Sequence, residues 1–92
     1  MNSVKRYRIK IEGVVQGVAF RYSAQKVAGN LGVSGFIRNM ADGSVYAEAE
    51  AEEKKLKEFT LWCRKGPRAA SVEKTDIEEM EIQNSNGFHI AG

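Results

Sequence analysis

The chain has ninety-two residues, 42% apolar and 28% charged, which is enough for one small core. A chain of this size buries about 60–65% of its unfolded surface without needing a metal or a disulfide. One cysteine, Cys63, excludes an internal disulfide and fits a buried small hydrophobe in a reducing compartment. No apolar run approaches the ~20 residues that cross a bilayer, and no apolar N-terminal stretch leads to a cleavage site, so a single cytoplasmic domain over residues 1–92 is expected. The net charge of +2 divides into +6 over residues 1–40 and −4 over 41–92, an asymmetry that can steer an anion to the first half or simply reflect solvated faces.

In chain order, Tyr7, Ile9 and Ile11 alternate with Arg6, Arg8, Lys10 and Glu12, predicting a strand over about 4–12 with one wet face. A glycine-bearing loop follows. Phe20, Ala24, Val27, Ala28 and Leu31 then recur at helical spacing, with Gly32 as C-terminal cap, predicting a helix over 21–31. Ser34 to Met40 reads as a second strand, Asp42-Gly43 as a hairpin turn, and Ser44 to Ala51 as a third strand with Val45, Ala47, Ala49 and Ala51 on one face. A second helix over about Glu52–Lys65 buries Leu56, Phe59 and Cys63 and stops at Gly66-Pro67, with no conventional cap at its start. From Val72 to Ile82 the alternation slips phase, since Val72 and Ile77 cannot share a face of a regular strand, so a bulge is expected. Asn84 to Gly87 turns into a last short strand, Phe88-His89-Ile90.

The order β-α-β-β-α-β plus a terminal strand predicts an α+β, ferredoxin-like sandwich: a mainly antiparallel sheet with both helices on one face. The first and third strands should then be neighbours. Arg6, Arg8 and Lys10 should face Tyr46, Glu48 and Glu50 across the exposed side as opposite-charge pairs.

The stretch from Ile11 to Arg21 joins a strand, glycines 13 and 17, a helix start and an arginine. A helix start offers unpaired N–H groups and a positive dipole end, and the guanidinium adds a planar fork, a combination suited to a phosphoryl group.

Gly13-Val14-Val15-Gln16-Gly17-Val18-Ala19-Phe20-Arg21 resembles the signature loop of the acylphosphatases, and Gly35-Phe36-Ile37-Arg38-Asn39 with Asp42-Gly43-Ser44-Val45 resembles their second motif. Trp62 to Pro67 and Phe88-His89-Ile90 extend the likeness over nearly the whole chain. The resemblance implies hydrolysis of carboxyl-phosphate anhydrides without a metal or other cofactor. It makes Arg21 and Asn39 catalytic, with phosphate held by Gln16, Gly17, Val18, Ala19, Phe20 and Arg21. It further implies a small acyl phosphate as substrate and inorganic phosphate as product; a monomer is expected, with no membrane partner, for want of a long apolar run, and no nucleic-acid partner, for want of an aromatic platform. Three positions depart from the family pattern: bulky Ile37, Ala51 where glycine commonly ends the third strand, and Ala19 where glycine is frequent, alanine resisting positive φ.

The chemistry is consistent with so few groups. An acyl phosphate expels a carboxylate whose conjugate acid has a pKa near ~4, so no general acid is needed. Binding the phosphoryl oxygens, neutralising them and placing one water in line remain, and an amide at Asn39 can hold the water. His89 lies opposite Phe88 and Ile90 and reads as an exposed, idle imidazole; Lys54, Lys55 and Lys57 among Glu52, Glu53 and Glu58 read as a solvated helix face. Two binding modules compete with an enzyme. An RNA-recognition domain shares the element order but needs aromatics on its central strands, where Tyr46 stands among carboxylates. A phosphate sensor could use the same loop but has no need of Asn39.

Overall fold

The computed structural model describes residues 3–92, and Met1 and Asn2 lie outside them. Its elements are β1 (Val4–Val14), α1 (Phe20–Leu31), β2 (Ser34–Asn39), β3 (Val45–Glu52), α2 (Glu53–Lys65), β4 (Ser71–Met80) and β5 (Phe88–Ile90). The five strands form one sheet in the order β4-β1-β3-β2-β5, antiparallel except for the β2–β5 pair. This is the expected α+β sandwich. Helix α1 packs on β2 and β5, α2 on β1, β3 and β4, and the two helices touch. Between layers lies one core, including Ile9, Ile11, Phe20, Ile37, Ala47, Leu56, Phe59 and Phe88.

Strand β1 runs two residues beyond the predicted end because the bulge falls opposite it. Glu12 pairs with Lys74 and Gly13 with Val72, which leaves Glu73 as the extra residue and brings Val72 and Ile77 to the same core. Gly13, at φ 132°, is required here, since a Cβ would collide with the Ser71 carbonyl oxygen. Strand β4 accordingly covers 71–80 rather than 72–82. Helix α2 has no side-chain cap; the Glu53 N–H donates instead to the Ser3 carbonyl at 2.9 Å, so the residue just before β1 supplies the missing acceptor. Ala51 sits in the regular part of β3, 9% exposed.

The β1–β3 register is the predicted one, with Arg6 opposite Glu50, Arg8 opposite Glu48 and Lys10 opposite Tyr46. The expectation of an exposed row fails at its first member. Arg6 and Glu50 are 2% and 5% exposed, because the segment between β4 and β5 folds over them. The Arg6 guanidinium donates to Glu48 at 2.8 Å, Glu50 at 3.1 Å and Ser85 Oγ at 3.1 Å, while Glu50 also accepts from the Gln83 N–H. Arg8 turns away from Glu48 to pair with Glu78 of β4, and Lys10 pairs with Asp42. A central strand has two flanks, and the second one competes for its charges.

Candidate active site

On β2, residues 35, 37 and 39 share the face turned to the helices, where Ile37 is fully buried, so the same alternation carries Asn39 towards the start of α1. The loop from Val15 reaches that start through Gly17 at φ 76° and Ala19 at φ 61°, ψ 27°. These left-handed residues on either side of Val18 bend the loop sharply into the start of the helix. The loop N–H groups of 16–19 donate to no main-chain carbonyl among the described residues, and those of Phe20 and Arg21 precede any helical acceptor. Phe20, 2% exposed and 5.2 Å from the Trp62 ring, anchors this first turn in the core.

A cavity of about 170 Å³ lies at this junction, bordered by Val15, Gly17, Ala19, Phe20, Arg21, Tyr22, Asn39 and Ile90. Arg21 and Asn39, eighteen positions apart, therefore meet at one space. Asn39 Oδ1 is buried without a hydrogen-bond partner in the molecule, the one such side-chain atom among the described residues. An unpaired buried acceptor costs about 1–3 kcal/mol, and a folded protein retains such a defect where something else completes it. The Arg21 guanidinium donates through Nη1 to the Gly92 main-chain oxygen, to which the Asn39 N–H also points at 3.4 Å. Four of its five N–H donors lie outside that bond.

Not every residue of the expected phosphate loop borders the cavity. Gln16 directs its side chain away and donates through Nε2 to the Met40 and Ser44 carbonyls at 2.8 and 2.9 Å, riveting the loop to the β2–β3 turn. Val18 is also outside the lining; Val15, Tyr22 and Ile90 are inside it. Alternation along Phe88-His89-Ile90 was enough to put Ile90 on the helix side, but only its pairing with Ile37 brings it to the site. The turn itself is held by Asp42, which accepts from the Ser44 hydroxyl at 2.6 Å and the Ser44 N–H at 2.9 Å. Those bonds, with the Lys10 ammonium nearby, hold the Asp42 carboxyl down at about 2.

His89 is exposed, its Nε2 3.0 Å from the Asn86 carbonyl and outside the cavity lining. Cys63 is buried, which pushes its thiol well above the usual range. Among the described residues no three His, Cys, Asp or Glu side chains are grouped to hold a metal ion, and no helix is long and apolar enough to cross a membrane.

A family model described as Acylphosphatase matches residues 7–90. The chain belongs to that family. An acylphosphatase of Thermotoga maritima is 44% identical over 87 residues, covering 95% of this chain and 97% of the relative. Among solved structures, an acylphosphatase from Coxiella burnetii superposes with a TM-score of 0.93 at 30% identity, covering 98% of this chain and 94% of that one. The acylphosphatase of Bacillus subtilis gives 0.92 at 31%, covering 98% and 100%. Full-length coverage by named relatives makes this chain an enzyme of the acylphosphatase kind, acting on acyl phosphates and releasing phosphate. Two departures from the family pattern have a structural setting here. Ile37 fills the core with no exposure, and Ala19 adopts the left-handed conformation that glycine would hold without strain.

Proposed function

We propose that the protein hydrolyses acyl phosphates without a metal, using the 16–21 loop and Arg21 to hold the phosphoryl group and Asn39 to place the attacking water. The observation that carries this reading is the cavity shared by Arg21, Asn39 and the loop residues Gly17, Ala19 and Phe20, with Asn39 Oδ1 buried and unpartnered. Phosphoryl oxygens accept from the loop N–H groups at the positive end of α1 and from the guanidinium. Gln16 contributes through its main chain, its side chain being engaged with the β2–β3 turn. Water accepts from or donates to the Asn39 amide and attacks phosphorus in line with the bridging oxygen.

The P–O bond to the acyl group breaks, its electron pair leaves on a carboxylate, and the water proton goes to a phosphoryl oxygen or to solvent. The amide is too weak a base to take that proton, so its contribution is positional. A carboxylate with a conjugate-acid pKa near ~4 leaves without protonation, and this supports a site built from one cation, one amide and a backbone cradle.

The test compares benzoyl phosphate with an alkyl phosphate monoester, each with and without chelator. Expulsion of an alkoxide, whose conjugate acid is more than ~10 pKa units weaker, calls for a metal or an acid. Expected is rapid, chelator-insensitive hydrolysis of benzoyl phosphate, with the monoester slower by several orders of magnitude. Comparable rates on the two, or loss of activity with chelator, would refute the mechanism.

A further inference from the structure

Two segments that no strand pairing joins directly have to be held in step at the candidate site: loop residues 16–19, which lead into α1, and the end of β2, which carries Asn39. Pairing of β2 with β3 stops at Asn39 and Val45, and the turn beyond is exposed at Ala41, Asp42 and Gly43. Asn39 thus stands on the last rung of its ladder, followed by one closing bond from the Met40 N–H to the Ser44 carbonyl at 2.8 Å. The amide oxygen of Asn39 accepts no hydrogen bond within the molecule. Its aim therefore rests on where the strand end is held.

Gln16 reaches across this gap. Its Nε2 gives one hydrogen to the Met40 carbonyl at 2.8 Å and the other to the Ser44 carbonyl at 2.9 Å, so both donors of the amide are used. Met40 directly follows Asn39, and the Ser44 carbonyl is the same one that closes the turn. Among the described residues these are the only hydrogen bonds from residues 16–19 to the turn. The Gln16 side chain is outside the cavity lining, so it reaches neither the phosphoryl group nor the water. One amide thereby sets the spacing between the phosphate loop and the strand end, and a misplacement of about 1 Å between reacting groups costs on the order of 10²-fold in rate. Resting on the activity proposed above, we infer that Gln16 is a positioning residue for the hydrolysis, acting through Asn39 by locking the end of β2 to the phosphate loop.

The experiment measures kcat and KM for benzoyl phosphate, and inhibition by inorganic phosphate, in the parent, Gln16→Met, Asn39→Ala and the double variant, with folding followed by circular dichroism. Methionine keeps the length of glutamine and removes both donors. Gln16→Met should lower kcat about 10–100-fold, with KM and the phosphate inhibition constant within about threefold of the parent. In the Asn39→Ala background the same substitution should change kcat by less than about twofold, because the group it positions is gone and losses at coupled positions do not add. Gln16→Asn, whose amide is one methylene too short to span both carbonyls, should repeat the result and serves in its place if the methionine variant does not fold. A purely structural clamp would lower Tm and leave kcat of the folded variant near the parent's, whereas a phosphate ligand would raise KM and the inhibition constant together. Either outcome, or losses that add in the double variant, would overturn the positioning role and leave the hydrolase reading standing. A parent that fails to turn over benzoyl phosphate would overturn both.

Discussion

Ala19→Gly should make the protein more stable and its phosphate loop less sharply set. Ala19 stands at φ 61°, ψ 27°, where an L-residue with a Cβ carries roughly 1–2 kcal/mol of steric cost that glycine escapes. Against that gain, glycine widens the unfolded ensemble by about 0.4–1 kcal/mol. The Ala19 methyl is exposed, so its removal opens no cavity and forfeits little packing. The balance is a stabilisation of about 0.5–1 kcal/mol, or a rise in Tm of roughly 2–6 °C for a domain of this size. Urea unfolding with an unchanged m-value should give the same sign, and Ala19→Val, with a β-branch in the same conformation, should lose about 1 kcal/mol or more. Because position 19 borders the candidate site, the freer glycine should also weaken inhibition by inorganic phosphate by a few-fold, the loop now having to be ordered on binding. A glycine variant no more stable than the parent, at equal m, would refute the strain and with it the account of a preset loop.

Other perturbations test other parts of the molecule. Arg21→Lys retains the charge and loses the planar fork, so benzoyl phosphate turnover should drop by at least ~10²-fold in a protein whose circular dichroism is unchanged; near-normal turnover would remove Arg21 from the site. Asn39→Ala should slow the chemical step by at least ~10²-fold while inhibition by phosphate stays within a few-fold, whereas equal losses would make it a phosphate-binding residue. Arg6→Met leaves Glu48 and Glu50 without their cation under the β4–β5 segment and should destabilise by about 3 kcal/mol in urea titrations; a loss below about 1 kcal/mol would mean that water screens the cluster like a surface pair. Stability should also fall with acid. Burial pushes the Glu50 carboxyl up, but the Gln83 N–H, the Arg6 guanidinium and the Ser85 N–H outweigh it and hold the group below the usual range. Asp42 is held at about 2, so the contribution of both is complete above the unfolded carboxylate pKa of ~4 and is lost as pH drops through the folded values; Ser44→Ala should move the Asp42 titration, followed by NMR, upward.

The order of elements, the hairpin at Asp42-Gly43, the cap at Gly32 and the bulge before Ile77 were all legible in the chain, because each is a local matter: a period, a turn residue, a break in phase. The two motifs were legible too, as strings of residue types around Arg21 and Asn39. Alternation along the first strand gave a correct pairing partner for Arg6 but an incorrect environment. Whether a wet face stays wet depends on what crosses above it, and the covering residues, Gln83 and Ser85, lie more than seventy positions away. Likewise Arg8 and Lys10 chose Glu78 and Asp42, which only the placement of β4 and of the β2–β3 turn could offer.

The candidate site divides the same way. Residue type nominated the loop and the arginine; the family resemblance added the amide and marked Ala19 as a position where alanine would resist the backbone. Tertiary structure decided which of the nominees share a space. It withdrew the Gln16 side chain to the Met40 and Ser44 carbonyls and brought in Ile90 through the parallel pairing of β5 with β2. A sequence records what each residue can do within a few neighbours; a cavity is enclosed by segments distant along the chain, and its walls exist only once the sheet order β4-β1-β3-β2-β5 has been set.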